Sequence, residues 1–215
     1  YLMSPTRRAI QWRSLTGNIG LIAWGALFII MCGFLSYSFV KNMSTIRGTS
    51  DAFPRLSTSQ EGGYIADILK MDGLLRGILK LEDRNNHWWV PRFGLNESIN
   101  VEQSLKERYC RQFRSDFMDP FDRKLTETAR MLSTATDDQY GQYMVHVVRR
   151  INILKTRLEK NNPDATRKKP RPSYILMDGA GQNPDHESRK IFGDLYLHYI
   201  LWRSDLDDIR KEIGI

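Results

Sequence analysis

Charge is absent between Asn18 and Lys41, and large apolar side chains dominate from Ile19 to Val40: Ile19, Leu21, Ile22, Trp24, Leu27, Phe28, Ile29, Ile30, Phe34, Leu35, Phe39 and Val40. As a helix these 22 residues extend about 33 Å, against a hydrocarbon core of roughly 30 Å. A secretory signal has a shorter apolar core and a small-residue cleavage site; here the run ends in "SYSFVKNM". A core helix of a soluble protein carries a polar stripe, which this segment lacks. Trp24 and Tyr37 stand toward its ends, with Arg13 and Lys41 outside them, the arrangement of an interfacial aromatic belt with flanking charges. The pattern predicts a transmembrane helix over 18–41.

After Val40 the pattern changes to helical periodicity on a polar background. Residues 42–61, rich in Ser, Thr and Gly, read as a juxtamembrane linker or a frayed extension of the membrane helix. Tyr64, Ile65, Ile68, Leu69, Leu75, Ile78 and Leu79 recur at helical spacing. A second helix carries Val101, Leu105, Tyr109, Phe113 and Phe117 at steps of four, stopping or kinking at Pro120, where Asp119 can cap a third helix bearing Leu125, Ala129 and Leu132. A fourth, from about Asp138 to Lys160, shows an apolar stripe of Tyr140, Tyr143, Met144, Val147, Val148, Ile151, Leu154 and Leu158, with Arg149, Arg150, Lys155 and Arg157 opposite. Leu105, Tyr109, Phe113, Val147, Ile151 and Leu154 are the expected core. Residues 161–187 have the Pro, Gly and charge content of a long loop. A last helix pair holds Ile191, Phe192, Leu195, Tyr196, Tyr199 and Ile200, then Leu206 and Ile209. The predicted fold is all-α: a 1–17 juxtamembrane segment, the 18–41 span, a 42–61 linker and a 62–215 helical domain. The chain begins at Tyr1 and ends at Ile215 inside a helical pattern, so a piece of a larger protein is expected.

Charge adds an orientation. Arg7, Arg8 and Arg13 precede the span with no acid among the first 18 residues, while Lys41, Arg47 and Arg55 follow it alongside Asp51. The positive-inside tendency puts residues 1–17 in the cytoplasm and those after 41 outside. The net charge of +7 spreads over 32 basic and 25 acidic residues, the mark of a solvated surface more than of a nucleic-acid site, and no nucleic-acid partner is expected. Two cysteines, Cys32 in the span and Cys110 far from it, form no disulfide framework.

Catalytic chemistry is not legible. His87, His146, His186 and His198 share no ligand spacing, and "DGAGQNPDHE" lacks the spacing of a calcium loop. There is no phosphate loop, no G-x-S-x-G and no cysteine with an evident partner base. The chain reads as non-enzymatic, with no catalytic residue, cofactor or metal. "RKKPRP" at 167–172 forms a basic loop run whose simplest reading is a solvated loop. The pair Trp88–Trp89 in "HWWVPRFGL" is the strongest interface signal. Adjacent indoles point in different directions, and Val90–Pro91 leads the backbone out of helical geometry, so one ring is expected to pack inside and the other to meet a neighbouring helix or a partner.

Three stretches in order resemble the IcmF/TssM family of bacterial secretion-system inner-membrane proteins. "YLMSPTRRAIQWRSLTGNIGLIAWGALFIIMCGFLSYSFVKN" resembles the segment where that family leaves its cytoplasmic GTPase-like domain and crosses the inner membrane for the last time. "WVPRFGLNESINVEQSLKERYCRQFRSDFMDPFDRKLTETARML" is similar to its periplasmic opening, and "FGDLYLHYILWRSD" to its Leu-Tyr…Tyr-Leu helix. Trp202, Arg203, Ser204 and Asp205 stand where type VI members continue with a Gly-Asp-Pro-like turn, which keeps the Dot/Icm type IVB branch open. The resemblance implies a structural scaffold of a type VI or Dot/Icm secretion system in the inner membrane, with the helical domain in the periplasm. It also implies membrane lipid, a DotU/IcmH (TssL-like) protein and other envelope components as partners, an oligomeric assembly, and a GTPase-like domain upstream. A membrane-anchored sensor with a helical ligand-binding domain is the alternative from another class, and it requires a concave pocket with convergent polar groups.

Overall fold

The computed structural model describes residues 7–50, 64–89, 92, 94, 96–131, 137–160, 162–172 and 186–214. Helix α1 (Arg7–Ser50) carries the entire apolar stretch. Its side chains there face outward, with Leu21 76 %, Phe28 69 % and Ile29 71 % exposed. A soluble core helix would bury them, whereas this long apolar surface is open on all sides, consistent with a helix lying in lipid. α1 is thus a single helix, near the N-terminus, long and apolar enough to cross a membrane.

The helix does not end with its apolar residues. It runs on to Ser50, so the first part of the 42–61 segment is helix and not linker; residues 51–63 lie outside the described residues. Ser and Thr disfavour helix interiors when their hydroxyls compete for backbone groups. Here those of Ser44 and Thr45 donate instead to the Lys41 carbonyl, at 3.4 and 2.9 Å, within the helix.

The bundle comprises α2 (Tyr64–Asn86), α3 (Glu97–Phe113), α4 (Asp119–Arg130), α5 (Asp137–Lys160), the short α6 (Pro163–Arg167), α7 (His186–Trp202) and α8 (Leu206–Ile213). All regular elements among the described residues are helical. α7 is the central element: Phe192, Gly193, Leu195, Tyr196, Leu197, Tyr199 and Ile200 are all buried, as expected of a helix that is apolar nearly all round. α2 contributes Ile68, Met71, Leu74, Leu75, Ile78 and Leu81, while Leu69, on its other side, is exposed. Arg171, from the basic 167–172 run, lies across Gly193 and pairs with Asp194. A Cβ on Gly193 would come within 3.1 Å of the Arg171 side chain, which would have to shift by a few tenths of an ångström to admit it. Short polar caps close the peripheral helices. Asn162 Oδ1 accepts from the N–H groups of Asp164 and Ala165 at the start of α6, and Asp205 Oδ1 from those of Asp207 and Asp208 at the start of α8.

Two expectations are corrected. The second helix, expected to stop or kink at Pro120, gives way to a π-turn just before it, and Asp119, expected as a cap, is itself helical. Arg114–Met118 form a π-turn, with the Asp119 N–H reaching back to the Arg114 carbonyl. A proline ring collides with the carbonyl four residues earlier and supplies no N–H; the wider register just before it accommodates both defects. The buried face of α5 is also rolled from its expected position. Ile153 and Leu154 are buried, but Ile151, expected in the core, is 41 % exposed, and Tyr140, Met144 and Val148 are exposed with it. Arg150, expected on the outer face, is buried. The His146 ring rests on Phe121 at 4.3 Å, and Arg150 spans carboxylates on α4 and α8; these two contacts fix the roll. Leu132 falls outside the described residues.

Buried hydroxyl and thiol groups give the core a pH signature. The Tyr109 hydroxyl donates to the Leu195 carbonyl at 2.9 Å, and burial raises Tyr109 and Tyr196 well above the ordinary tyrosine range. Burial likewise pushes Tyr199 up to about 12 and Cys110 to about 11. A group whose folded pKa is raised stabilises the fold below its unfolded value and loses that contribution as pH rises through the folded value. Thermal melts should therefore show the midpoint holding to about pH 9 and falling between about pH 10 and 12; a flat profile there would contradict tyrosine burial.

Candidate functional site at the membrane-proximal junction

Where α1 leaves its apolar stretch it packs against α2 and α3. The α1 residues buried there, Ser38, Asn42 and Thr45, recur at helical spacing and form one face. They are small or polar, so α1 approaches closely. Ser98 lies in the first turn of α3, where backbone N–H groups have no partner within the helix. The residue at the N-cap position of α3, Asn96, makes no side-chain cap. The Ser98 N–H donates instead to Oδ1 of Asn42, 3.3 Å away and 56 residues earlier. The membrane helix itself therefore supplies part of the N-cap of α3.

Around this contact lies a connected polar network. The Ser98 hydroxyl donates to Asn85 Oδ1 at 2.9 Å and accepts from Arg92 Nη1 at 2.9 Å. Asn85 Nδ2 donates to the Ser98 carbonyl at 3.1 Å and to Glu102 Oε2 at 2.6 Å, while Lys106 bridges Glu102 and Glu82. The end of α2, the start of α3 and the exit of α1 are thereby joined through Asn85 and Ser98. Burial alone would lower the Lys106 ammonium, but its hydrogen bonds and charge pairing with these two carboxylates outweigh that and raise it. Replacing Asn42 with alanine should cost about 1 kcal/mol, the ordinary value of a lost cap, read as a lower melting temperature of the detergent-solubilised chain. Asn42→Asp, which keeps an acceptor, should retain most of that stability.

Both tryptophans lie at this junction. Trp88 is half-buried and flanked by two cations, Lys41 Nζ at 4.8 Å and the Arg92 guanidinium at 4.4 Å from its ring centroid, each a favourable contact with the π face. Trp89 is 76 % exposed and lines a groove with Ile30, Gly33, Phe34 and Tyr37 of α1. Neither belongs to the buried core of the bundle. The other membrane-stretch residues, from Ile19 to Val40, lie along α1 with their side chains outward. Sequence reading missed Asn42, Asn85, Arg92 and Ser98. The one local signal was the recurrence of Ser38, Asn42 and Thr45 at the end of the apolar run.

A second polar cluster binds α8 to the bundle. Arg150 pairs with Asp122 and Glu212, Arg203 with Asp208 and Glu212, and Arg114 with Asp208. Burial alone would raise Asp208, but Arg203 and Arg114 hold its carboxyl below the ordinary range. The charges satisfy one another around a cleft of about 260 Å³, an arrangement suited to holding helices together. Among the described residues no group of three His, Cys, Asp or Glu side chains converges as metal ligands would.

Compared with protein-family models, with curated proteins and with solved structures, the chain finds no match in any of the three.

Proposed function

We propose that this chain is a structural anchor of a bacterial secretion apparatus of the IcmF/TssM kind, with the residues before 18 in the cytoplasm and the bundle in the periplasm. The observation that carries the reading is the continuity of α1 from its apolar stretch into the bundle, where Asn42 caps α3. A helix fixed at both levels transmits the position of one compartment's machinery to the other. A sensor needs a concave pocket with convergent polar groups; the cleft at the Arg150 cluster gathers such groups, but their charges pair with one another between helices, which favours the anchor reading. The exposed face of α5, bearing Tyr140, Met144, Val148 and Ile151, supports an assembly role because apolar helix faces of this kind mark protein contacts. The order of the three motif-bearing stretches supports the family assignment.

Affinity purification of the full chain from membranes is the test. Recovery of a DotU/IcmH-like inner-membrane protein, lost on Ile151→Glu without change in melting temperature, is the expected result. Recovery of the chain alone, with a small molecule that raises its melting temperature, would establish the sensor reading instead. A phosphatase reporter fused after Gly214 should be active only when exported; a reporter active only in the cytoplasm reverses the orientation.

A further inference from the structure

The groove beside Trp89 lies on the membrane-facing surface of α1, and its position relative to the bilayer follows from helix geometry. Ile30 stands near the middle of the Ile19–Val40 stretch. Eleven residues separate Ile30 from Lys41, about 16 Å of helix, roughly half of a ~30 Å hydrocarbon core. The groove thus begins near the bilayer midplane at Ile30, passes Gly33, Phe34 and Tyr37, and ends one turn below Lys41. That is the span of a single acyl chain in one leaflet. Gly33 forms an open floor, since a Cβ built on it would meet nothing within 4 Å, and Trp89 forms the outer wall.

At the headgroup end the electrostatics change sign. Lys41 and Arg92 approach the same Trp88 ring. Arg92 donates only to neutral oxygens, of Ser98 and Asn85. Among the described residues neither cation forms an ion pair. Lys41 and Arg92 approach one indole with only the more distant Glu102 acting on Arg92, and an anion close to both cations relieves their mutual repulsion. An apolar groove one leaflet deep, ending in a pair of cations with Trp and Tyr at the interface, matches a lipid with an acyl chain and a negatively charged phosphate.

We propose that the cleft formed by Trp89, Gly33, Phe34 and Tyr37, together with Lys41 and Arg92, binds an anionic phospholipid of the leaflet adjoining the bundle. Trp89 then works as a second membrane anchor, resting in the lipid alongside the chain it holds. The inference rests on α1 crossing a bilayer and is independent of the secretion assignment.

The full chain, purified in detergent and delipidated, would be titrated with phosphatidylglycerol and with phosphatidylcholine and read by native mass spectrometry. At least a fivefold preference for phosphatidylglycerol is expected. Lys41→Gln should reduce it to less than twofold, and Gly33→Leu, which fills the groove from a lipid-facing position, should reduce retention of both lipids. In vesicles of phosphatidylcholine brominated in mid-chain, Trp89→Phe should remove a larger share of the quenchable fluorescence than Trp88→Phe. Equal retention of the two lipids by the wild-type chain would overturn the headgroup site. Unchanged retention in Gly33→Leu, or no loss of quenching in Trp89→Phe, would overturn the groove. Carbonate-resistant membrane association, measured on the same samples, separates these failures from failure of the span itself.

Discussion

Replacing Phe113 with alanine is expected to destabilise the bundle by about 3–5 kcal/mol, the range for truncating a fully buried aromatic, and so to remove a large share of the 5–15 kcal/mol typical of a folded domain. Phe113 is fully buried at the meeting point of α3 and α7. Its ring lies 4.9 Å from that of Tyr199, 5.1 Å from Phe117, 5.8 Å from Phe192 and 6.1 Å from Tyr109, centroid to centroid. Truncation removes apolar area from every one of these contacts and leaves a cavity that rigid helices on both sides cannot close. Near-ultraviolet circular dichroism of the full chain in detergent, followed through a urea titration, reads this directly because it reports aromatic packing and not the helicity of the membrane segment. Phe113→Leu should recover part of the loss, since it restores volume without the ring. A midpoint unchanged in Phe113→Ala would mean that the α3–α7 contact does not hold the bundle together.

The second large effect is expected at Arg150. Its Nη2 lies 2.6 Å from Glu212 Oε1 and 3.1 Å from Asp122 Oδ2, and Nη1 pairs with Asp122 Oδ1. Burial alone would lower its pKa, but the hydrogen bond to Asp122 and the neighbouring negative charges outweigh it and hold the guanidinium charged. Arg150→Met keeps most of the side-chain volume but leaves Asp122 without its partner and Glu212 with Arg203 alone. The expected cost is about 2–4 kcal/mol, somewhat below that of breaking a fully buried pair because the Asp122 side chain is 46 % exposed and gains water. Adding Asp122→Asn to Arg150→Met should return part of that cost, since the carboxylate left without a partner is removed. Acid should act on the same cluster. Asp208 is held below its ordinary value, so its contribution is complete above the unfolded pKa and is lost as pH falls through the lower, folded one. Equal stability of Arg150→Met and wild type, measured by urea midpoint, would assign the cluster to the surface.

The two regions differ in how far they could be read from residues alone. Tyr109, Phe113 and Phe117 announced a helix face by their spacing, and the residues around Tyr196 announced a helix, though not its central place in the bundle. The strict four-residue step held further information. At about 100° per residue each such step overshoots a turn by about 40°, so Leu105 and Phe121 would diverge by about 160° on an unbroken α-helix. The π-turn at Arg114–Met118 absorbs one extra residue, about 100° of winding, and returns Phe117 and Phe121 to the core. The periodicity was visible, but Pro120 drew the expectation toward a break.

The roll of α5 runs against its apolar stripe and could not be read from it; what turns Arg150 inward is Asp122 and Glu212, on other helices. The junction was hidden for a related reason. Asn42 and Ser98 belong to segments that each look like ordinary polar sequence, and only their meeting across 56 positions gives either a role. The tryptophan pair was recognisable as unusual. Its orientation toward α1 depends on where the α2–α3 connection turns, which adjacent residues do not specify.

The uninterrupted course of α1 makes the thickness of the surrounding bilayer a control on where the bundle points. An apolar stretch longer than the local hydrocarbon layer is accommodated by tilting, and a shorter one by drawing the bilayer inward. With a flexible joint above the membrane such tilting would be absorbed there. With Asn42 fastened to α3 and the helix continuing to Ser50, each degree of tilt is carried to α2, α3 and the helices stacked on them. A thinner membrane would lean the bundle toward the lipid surface on one side, and a thicker one would raise it upright. Lipid composition thereby becomes a geometric input to whatever the bundle meets.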